Sequence, residues 1–156
     1  MAEREFRVER TDPRRLHDLR RRVLRGGDLE ALVEDPRDDD ATTLHLAGVL
    51  AERVVVSATF YRSPAPFVEA LDESEVSYQL RFMATDLDVQ GRGYGARVLE
   101  HGESELGARG AVRLWANARD SALGFYRASG WVVVEGSAHM SPETNLAHHV
   151  IFKRLD

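Results

Sequence analysis

The stretch DLDVQGRGYGARVLEHG, residues 86–102, places three glycines at alternate positions, Gly91, Gly93 and Gly95, directly before an apparent helix. Glycine tolerates positive φ and lets another group approach the main chain closely, but it costs stability where that freedom has no use. The first amides of a helix have no partner within it, and the helix dipole adds partial positive charge at the same end. A strand, a glycine-rich turn and a helix in this order therefore predict an anion site, whose usual occupant is phosphate.

The residues alone leave other interpretations of these glycines open. They can serve an ordinary tight turn that binds nothing. Gly91, Gly93 and Ala96 also satisfy the dinucleotide pattern G-x-G-x-x-[G/A], but that pattern follows the first strand of a parallel sheet, whereas here about four strands come first. The dinucleotide interpretation is therefore disfavoured. A P-loop is excluded, because the stretch has no lysine for the GK[ST] signature.

Length and composition limit the class of protein. The 156 residues, 43% of them hydrophobic and 30% charged, suit one domain over residues 1–156. A formal net charge of −5 gives no overall attraction to nucleic acid or to an anionic membrane, so an anion site must be built locally. The absence of cysteine excludes disulfides, thiolate metal sites and cysteine nucleophiles. No apolar run approaches the roughly 20 residues that span a bilayer, and we expect a cytoplasmic protein.

Periodicity in the first half predicts a strand, two helices and a hairpin. EFRVER, from Glu5, alternates as a half-buried strand does, and TDP at 11–13 supplies a helix cap. The first helix ends at Gly26-Gly27, and a second, weaker helix is predicted at 28–34. TTLHLAGVL and RVVVSATFYR predict an antiparallel hairpin. SPAPFVEALDESE, residues 63–75, predicts a loop with a short helical turn.

In the second half, strands and helices alternate. SYQLRFMAT, residues 77–85, predicts a strand leading into the glycine stretch, and a helical pattern starts at Tyr94. AVRLWAN at 111–117 predicts the next strand, followed by a short helix with Asp120 as N-cap and Gly130 at its end. WVVVE and HHVIFKRL predict two final strands. The order of elements indicates a mixed α/β fold.

Two linked motifs in this half resemble a known family. MATDLDVQGRGYGARVLEHGESELGARG, followed by VRLWANARDSALGFYRASGW, is similar to the acetyl-CoA core of the GNAT superfamily of N-acetyltransferases. The signature Q/R-x-x-G-x-G/A is present as Gln90, Gly93 and Gly95, and N-A-R-x-x-A-x-x-F-Y-x-x-x-G-[FW] runs from Asn117 to Trp131. The resemblance is strong over residues 77–134 and vague before residue 40.

The resemblance implies a fold and a cosubstrate. The fold is mixed α/β, with a mostly antiparallel sheet of about six to seven strands, splayed at its centre and flanked by about four helices. The cosubstrate is acetyl-CoA, with its pyrophosphate on the amides at the helix start and its pantetheine arm added to the strand edge. The residues implied to bind it are Met83, Ala84, Thr85, Gln90, Gly91, Arg92, Gly93, Tyr94, Gly95, Ala96, Asn117 and Tyr126.

The implied reaction is direct attack of an amine on the thioester. An amide near Phe82 or Met83 is implied to polarise the thioester carbonyl. Tyr126 occupies the position of the general acid that protonates the departing thiolate, and a packed tyrosine on a short amphipathic helix is the structural alternative. Asn117 is implied to contact the CoA arm, with a cap or turn role as the alternative.

For the general base the sequence offers histidines on predicted strands. His45 is the candidate we select, because a neutral imidazole has a suitable reference pKa, although a polar residue on a solvated strand face is the structural alternative. Adjacent strand residues point to opposite faces, so at most one of His148 and His149 can face a common cleft. The same spacing argues against a metal site, and we predict none. Proton relay by water, with no dedicated base, also stays open.

The acceptor is the least defined part of the prediction. Asp38-Asp39-Asp40 could attract a cationic amine, although a charge run in a loop is usually just solvated. The loops at 63–75 and 136–146 are expected to border the acceptor cleft. We expect a small-molecule amine or a peptide as acceptor, no nucleic-acid or membrane partner, and leave homodimerisation open. An acyl-CoA-binding regulatory module without transfer activity is the alternative function.

Overall fold

A computed structural model of the chain describes residues 5–66 and 75–155. In this part the strands are β1 Phe6–Arg10, β2 Leu44–Leu50, β3 Arg53–Arg62, β4 Val76–Thr85, β5 Ala111–Arg119, β6 Val132–Val133, β7 His139–Met140 and β8 Ala147–Arg154. The α-helices are α1 His17–Leu24, α2 Tyr94–Ala108 and α3 Leu123–Ala128. The strands form one sheet in the order β1-β2-β3-β4-β5-β8-β6, with β7 paired to β8. The mixed α/β fold predicted from the sequence is confirmed, with one strand more and one helix fewer than the upper estimates.

The described residues group into two compact units. The first contains residues 5–61 and 81–105, and the second contains residues 62–66, 75–80 and 106–155. In the first unit, β1 pairs antiparallel with β2. Strand β2 pairs antiparallel with β3, and these two strands form the predicted hairpin. Ala51 and Glu52 form its turn with φ values of 47° and 72°. Two left-handed residues in a two-residue turn match the right-handed twist of the flanking strands.

Helix α2 packs closely on the hairpin because two glycines remove side chains at the contact. A Cβ on Gly48 would lie 2.9 Å from atoms of Phe6 and Val98, and a Cβ on Gly102 would lie 2.5 Å from the Phe60 ring. Both distances are shorter than van der Waals contact allows. The two glycines therefore set how near the helix lies to the strands, and Val98 and Leu99 of α2 are fully buried.

In the second unit, β5 is the central strand. It pairs in parallel with β4 over Val76–Leu80 and Ala111–Ala116. On its other side β5 pairs antiparallel with β8. Helix α3 ends at Ala128, and Gly130 follows its C-cap Ser129 with a φ of 88°, as predicted for the glycine that terminates the helix.

Two local predictions are wrong, and a third falls mostly outside the described residues. Residues 28–34 form a turn followed by irregular backbone rather than a helix: the Asp28 carboxylate accepts a hydrogen bond from the Glu30 amide, and Leu29 and Leu32 stay exposed. Asp120 is the first residue of a 3₁₀ turn, and Arg119 is its N-cap. The predicted helical turn within 63–75 falls mostly on residues 67–74, outside the described residues. None of the described helices is long and apolar enough to cross a membrane.

The packing of α2 predicts a difference between two glycines of the same helix. Gly102→Ala should lower the free energy of unfolding by roughly 1–3 kcal/mol, because the new methyl group meets the Phe60 ring. Gly107→Ala should leave it unchanged or raise it by up to about 1 kcal/mol, because no atom lies within 4 Å and alanine favours the helix. Urea unfolding followed by circular dichroism measures both. Equal stability of the two variants would contradict the close packing.

Candidate functional site

The turn that follows β4 is held in place by an ion pair. The Asp86 carboxylate accepts hydrogen bonds from both terminal nitrogens of Arg22, at 3.1 and 3.0 Å, and the Asp86 amide donates to the Val55 carbonyl at 2.8 Å. Asp86 also caps the 3₁₀ turn Leu87–Val89. Because Arg22 favours the charged carboxylate, the pKa of Asp86 lies below its usual value. The start of the glycine stretch is therefore anchored to α1 through Arg22 and to β3 through Val55.

The glycine stretch itself forms an open, left-handed turn. Gly91 and Gly93 both have φ of 82°, and no heavy atom lies within 4 Å of a Cβ built on either residue. The Gly93 carbonyl accepts the first helical hydrogen bond of α2, from the Arg97 amide at 3.1 Å. The amides of the first turn of a helix have no partner within the helix. The surface above these amides is therefore clear of side chains and suited to a phosphate group.

The other predicted binding residues of the first unit flank this turn. Gln90 and Arg92 are exposed, and the Gln90 side-chain amide donates to the Thr85 carbonyl at 3.1 Å. The Tyr94 ring is buried and stacks on Phe6 at 4.2 Å, so only its backbone can meet a ligand. The remaining positions are half-buried Met83 and Ala96 and buried Ala84 and Gly95.

Within β4, Phe82 has an unusual backbone conformation. Its φ is 55°, a value that non-glycine residues rarely adopt and that is an outlier for a bulky side chain. The Phe82 carbonyl accepts a hydrogen bond from the Ser57 hydroxyl of β3 at 2.9 Å. In a regular strand the N–H and C=O of one residue point to the same edge, and a φ near −120° maintains this. Phe82 departs from this geometry, because its φ differs from that of a regular strand by about half a circle.

Two predicted site residues lie in the second unit. Asn117 is exposed near the end of β5, where it pairs with Val150 of β8. Tyr126 of α3 is buried at 6% exposure, with its ring 5.1 Å from Phe125 and 5.4 Å from Trp131. Burial raises the pKa of the Tyr126 hydroxyl, which therefore keeps its proton at neutral pH.

The candidate base His45 is part of a buried polar network. Its Nε2 lies 2.8 Å from the Asp38 carbonyl, which can only accept, so Nε2 carries the hydrogen. Nδ1 lies 3.0 Å from the Thr59 hydroxyl, and burial lowers the pKa of the imidazole. Neutral His45 therefore accepts from Thr59 and donates to Asp38. Both ring nitrogens are engaged, and neither is available to take a proton from an amine.

The other two histidines considered from the sequence have different partners. His148 lies 2.8 Å through Nδ1 from the Leu146 carbonyl, and His149 lies 2.6 Å through Nδ1 from the Asp120 carboxylate. The Asp120 contact joins β8 to the turn that precedes α3. A second contact comes from the Lys153 ammonium of β8, which donates to the Ser129 carbonyl at 2.8 Å, near the end of the same helix. Strand β8 thus holds α3 at both ends.

At the centre of the first unit's network lies Arg20, which the sequence analysis did not select. Arg20 is completely buried, and its terminal nitrogens donate to the Val33 carbonyl at 2.8 Å, the Asp38 carboxylate at 3.2 Å and the Thr59 hydroxyl at 2.8 Å. Its guanidinium carbon lies 4.0 Å from the centre of the Phe82 ring. A buried cation with this many partners is held in one orientation.

Asp38 is buried rather than solvated, contrary to what the sequence favoured for this charge run. Besides Arg20, its carboxylate accepts hydrogen bonds from the Tyr61 hydroxyl and from the Asp35 amide. Burial opposes ionisation of Asp38 most strongly, but the bonds from Tyr61 and Arg20 together keep its pKa below the usual value. For Tyr61, burial and the bond to Asp38 raise the pKa. Asp38 is therefore the anionic counterpart of the buried arginine.

Asp35 closes the same turn and binds two more arginines. It caps the 3₁₀ turn Pro36–Asp39 in a capping box with Asp38, and its carboxylate binds the Arg37 side chain at 3.0 and 2.8 Å and the Arg81 side chain at 2.9 Å. Hydrogen bonds from Arg37, with a smaller contribution from Arg81, lower the pKa of Asp35 to about 2.

The sequence contained signals for this network. Asp35-Pro36-Arg37-Asp38 has the spacing of a capping box with proline in the first turn, which indicates an ordered turn rather than a solvated loop. Arg20 lies four residues after Leu16, on the apolar face of the predicted first helix. A cation on an apolar face indicates a buried ion pair, although its partner cannot be read from the pattern.

Comparison with known proteins identifies the family. Residues 51–141 match the sequence model of the acetyltransferase (GNAT) domain. This match covers more than half of the chain, and the chain belongs to the GNAT acetyltransferase family. It is 27% identical over 115 residues to the uncharacterised N-acetyltransferase YitI of Bacillus subtilis (strain 168), with 74% of each chain covered. The resemblance inferred from the two motifs is confirmed.

Solved structures support the fold. Escherichia coli ElaA superposes with a TM-score of 0.75 at 13% identity, covering 95% of this chain and 99% of that chain. An aminoglycoside 6′-N-acetyltransferase complexed with coenzyme A superposes with a TM-score of 0.70 at 12% identity, covering 96% and 97%. At these identities the likeness establishes the GNAT fold and nothing finer.

The pKa of Asp35 predicts how the stability of the protein depends on pH. A carboxyl whose pKa is lowered by folding adds stability above its unfolded pKa and loses it as pH falls through the folded value. Asp35→Asn should therefore lower the free energy of unfolding by roughly 2 kcal/mol at pH 7, and the deficit should shrink as pH falls from about 4 to 2. Urea titrations at pH 7 and pH 3 measure the change.

Asp88→Asn is the matched control, because Asp88 forms an ion pair with Arg53 in which both side chains are more than half exposed. Its effect should stay within about 0.5 kcal/mol at both pH values. A deficit for Asp35→Asn that does not depend on pH would mean that lost packing, not lost charge, is responsible.

Proposed function

We propose that this protein is an N-acetyltransferase that transfers the acetyl group of acetyl-CoA to a primary amine by direct attack. Membership of the GNAT family supports an acyltransferase, and the open glycine turn before α2 is the observation that supports a CoA-type donor. Acetyl-CoA supplies an acyl group activated as a thioester. In this proposal the residues of the chain bind the donor and orient the acceptor. Two protons also move, one to the departing thiolate and one away from the acceptor ammonium.

Binding of the donor is assigned to the first unit and to Asn117. The amides of Gln90 to Ala96 would hold the pyrophosphate, helped by the partial positive charge at the start of the 15-residue helix α2. The exposed Arg92 side chain adds local positive charge to a protein whose net charge is −5. Backbone groups of Met83 to Thr85 would pair with the pantetheine arm as an added strand, and the Asn117 side chain would contact the same arm.

The oxygen of the thioester gains negative charge as the amine attacks. An N–H fixed in advance stabilises such charge without any rearrangement during the reaction. We assign this role to the Phe82 amide, because its left-handed φ interrupts the regular strand geometry of β4. A new C–N bond then forms while the C–S bond breaks, and the electron pair of that bond leaves with sulfur.

Tyr126 is assigned as the general acid that protonates the departing thiolate. Burial keeps its hydroxyl protonated at neutral pH, which a proton donor requires. The ammonium of the acceptor must lose a proton before or during attack. Since both ring nitrogens of His45 are hydrogen-bonded, we assign this proton to water rather than to His45.

The acceptor is assigned only as a primary amine on a small molecule or a peptide. The carboxylates of Asp35 and Asp38 offer little to attract it, because they are paired with arginines of the chain itself. The segments 63–75 and 136–146 remain the predicted borders of the acceptor cleft.

Calorimetric titration with acetyl-CoA tests the donor site. The wild-type protein should bind acetyl-CoA, and Gly93→Val should weaken binding at least about 10-fold, because its side chain would occupy the open surface above the amides. Gly26→Val is the matched control, since Gly26 also has a left-handed φ, 60°, with no atom within 4 Å of a Cβ. Both variants carry a similar backbone strain, so a loss of affinity confined to Gly93→Val isolates the ligand. No wild-type binding at millimolar acetyl-CoA would overturn the proposal.

Turnover tests the acid. Thiol release from acetyl-CoA across a panel of primary amines should identify an acceptor, and Tyr126→Phe should then lower kcat by roughly 10²-fold while the affinity for acetyl-CoA changes less than about 2-fold. Tyr78→Phe removes a hydroxyl from another buried tyrosine of the same unit and should leave kcat unchanged. Equal kcat in wild type and Tyr126→Phe would remove Tyr126 from this role. Binding without thiol release for any amine would favour a regulatory module.

A further inference from the structure

Phe82 adopts a strained backbone conformation that its own side chain does not favour. A bulky residue at positive φ persists only where surrounding contacts impose it. The Phe82 side chain is 6% exposed, and it contacts the buried polar network of the first unit.

Two guanidinium groups lie within 5 Å of the centre of the Phe82 ring, and that of Arg25 lies farther away, at 6.0 Å. The guanidinium carbon of Arg20 is 4.0 Å from the ring centre, and that of Arg81 is 4.6 Å from it. Cations over an aromatic face attract it electrostatically, most strongly where water is excluded. On the main chain of Phe82, the Ser57 hydroxyl holds the carbonyl at 2.9 Å. The ring and the carbonyl of Phe82 are therefore held by separate groups.

Both arginines are themselves fixed by one short turn. Asp38 binds Arg20 at 3.2 Å and Asp35 binds Arg81 at 2.9 Å, and the two carboxylates form the capping box of Pro36–Asp39. Arg20 has further bonds to Val33 and Thr59, so its guanidinium cannot turn away from the ring without breaking buried hydrogen bonds. The position of Phe82 thus depends on a turn more than forty residues earlier in the chain.

We propose that Arg20, Arg81 and Ser57 are positioning residues that together form a clamp on Phe82, and that this Phe82 clamp fixes the direction of the Phe82 N–H. The inference rests on the proposed function, in which that N–H stabilises charge on the thioester oxygen. In this proposal the clamp residues act through Phe82. Pre-organising the donor N–H in this way removes the need to reorient a strained peptide during each turnover.

The test uses Arg81→Met, because the Arg81 side chain is 27% exposed and its loss is less disruptive than loss of the fully buried Arg20. Ser57→Ala is a second variant that loosens the carbonyl end of the clamp. Arg7→Met is the matched control, since it removes an arginine from an exposed ion pair on β1.

The direct readout is the carbonyl ¹³C resonance of bound acetyl-CoA labelled at the acetyl carbonyl. A hydrogen bond from the Phe82 N–H should move this resonance downfield in wild-type protein. Arg81→Met and Ser57→Ala should return it at least halfway to the value of free acetyl-CoA, with affinity within about 3-fold and kcat lowered about 10-fold to 100-fold. In ligand-free protein, the amide resonance of Phe82 should shift in both variants and stay unchanged in Arg7→Met.

A double-mutant cycle separates the clamp from a direct role of Arg81. Phe82→Gly removes the ring and accepts a positive φ without strain, so Arg81→Met should have little further effect on the carbonyl resonance in that background. Additive effects of Arg81→Met and Phe82→Gly would overturn the clamp, as would an unchanged Phe82 amide resonance in ligand-free Arg81→Met. These outcomes are distinguishable from failure of the proposed function, which shows as no binding of acetyl-CoA by the wild-type protein.

Discussion

The buried guanidinium of Arg20 is the interaction on which much of the first unit depends. An unpaired charge in this position would be very costly, and the groups around the terminal nitrogens of Arg20 are arranged to satisfy it. The capped turn at Asp35 and Asp38, the tautomer of His45 and the orientation of Thr59 all follow from that requirement. This polar network joins α1, β2, β3 and the end of β4 through Arg20, His45, Thr59 and Phe82.

The proposed chemistry divides between fixed backbone and titratable side chains. The amides at the start of α2 are assigned to the pyrophosphate of the donor, and the Phe82 amide is assigned to the thioester oxygen. Backbone conformation sets the orientation of these amides, whereas a side-chain donor could change rotamer. The proton transfers require a side chain with a retained proton, and buried Tyr126 has one. Strand β8 supports this assignment, because it holds α3 near both ends through His149 and Lys153.

Sequence reasoning was accurate where the pattern is local. The hairpin, the strand before the glycine stretch, helix α2 and the glycine that ends α3 each follow from periodicity and turn chemistry within a few residues. It was wrong at 28–34, where helical spacing over seven residues could not outweigh the Asp28 turn and the lack of a surface to pack against. It also treated Asp38 as solvated, because a charge run gives no indication of a buried partner 18 residues away.

The sequence by itself determined the glycine turn before α2 and the two linked motifs that define the family, since both depend on residue types at fixed short spacing. Only the tertiary structure decided that His45 is a hydrogen-bonded member of a network, that Asp38 neutralises Arg20, and that Phe82 is left-handed. The physical reason is that burial and backbone strain are imposed by groups distant in the chain. The type of a residue limits the contacts that it can make, and the tertiary structure determines which of those contacts form.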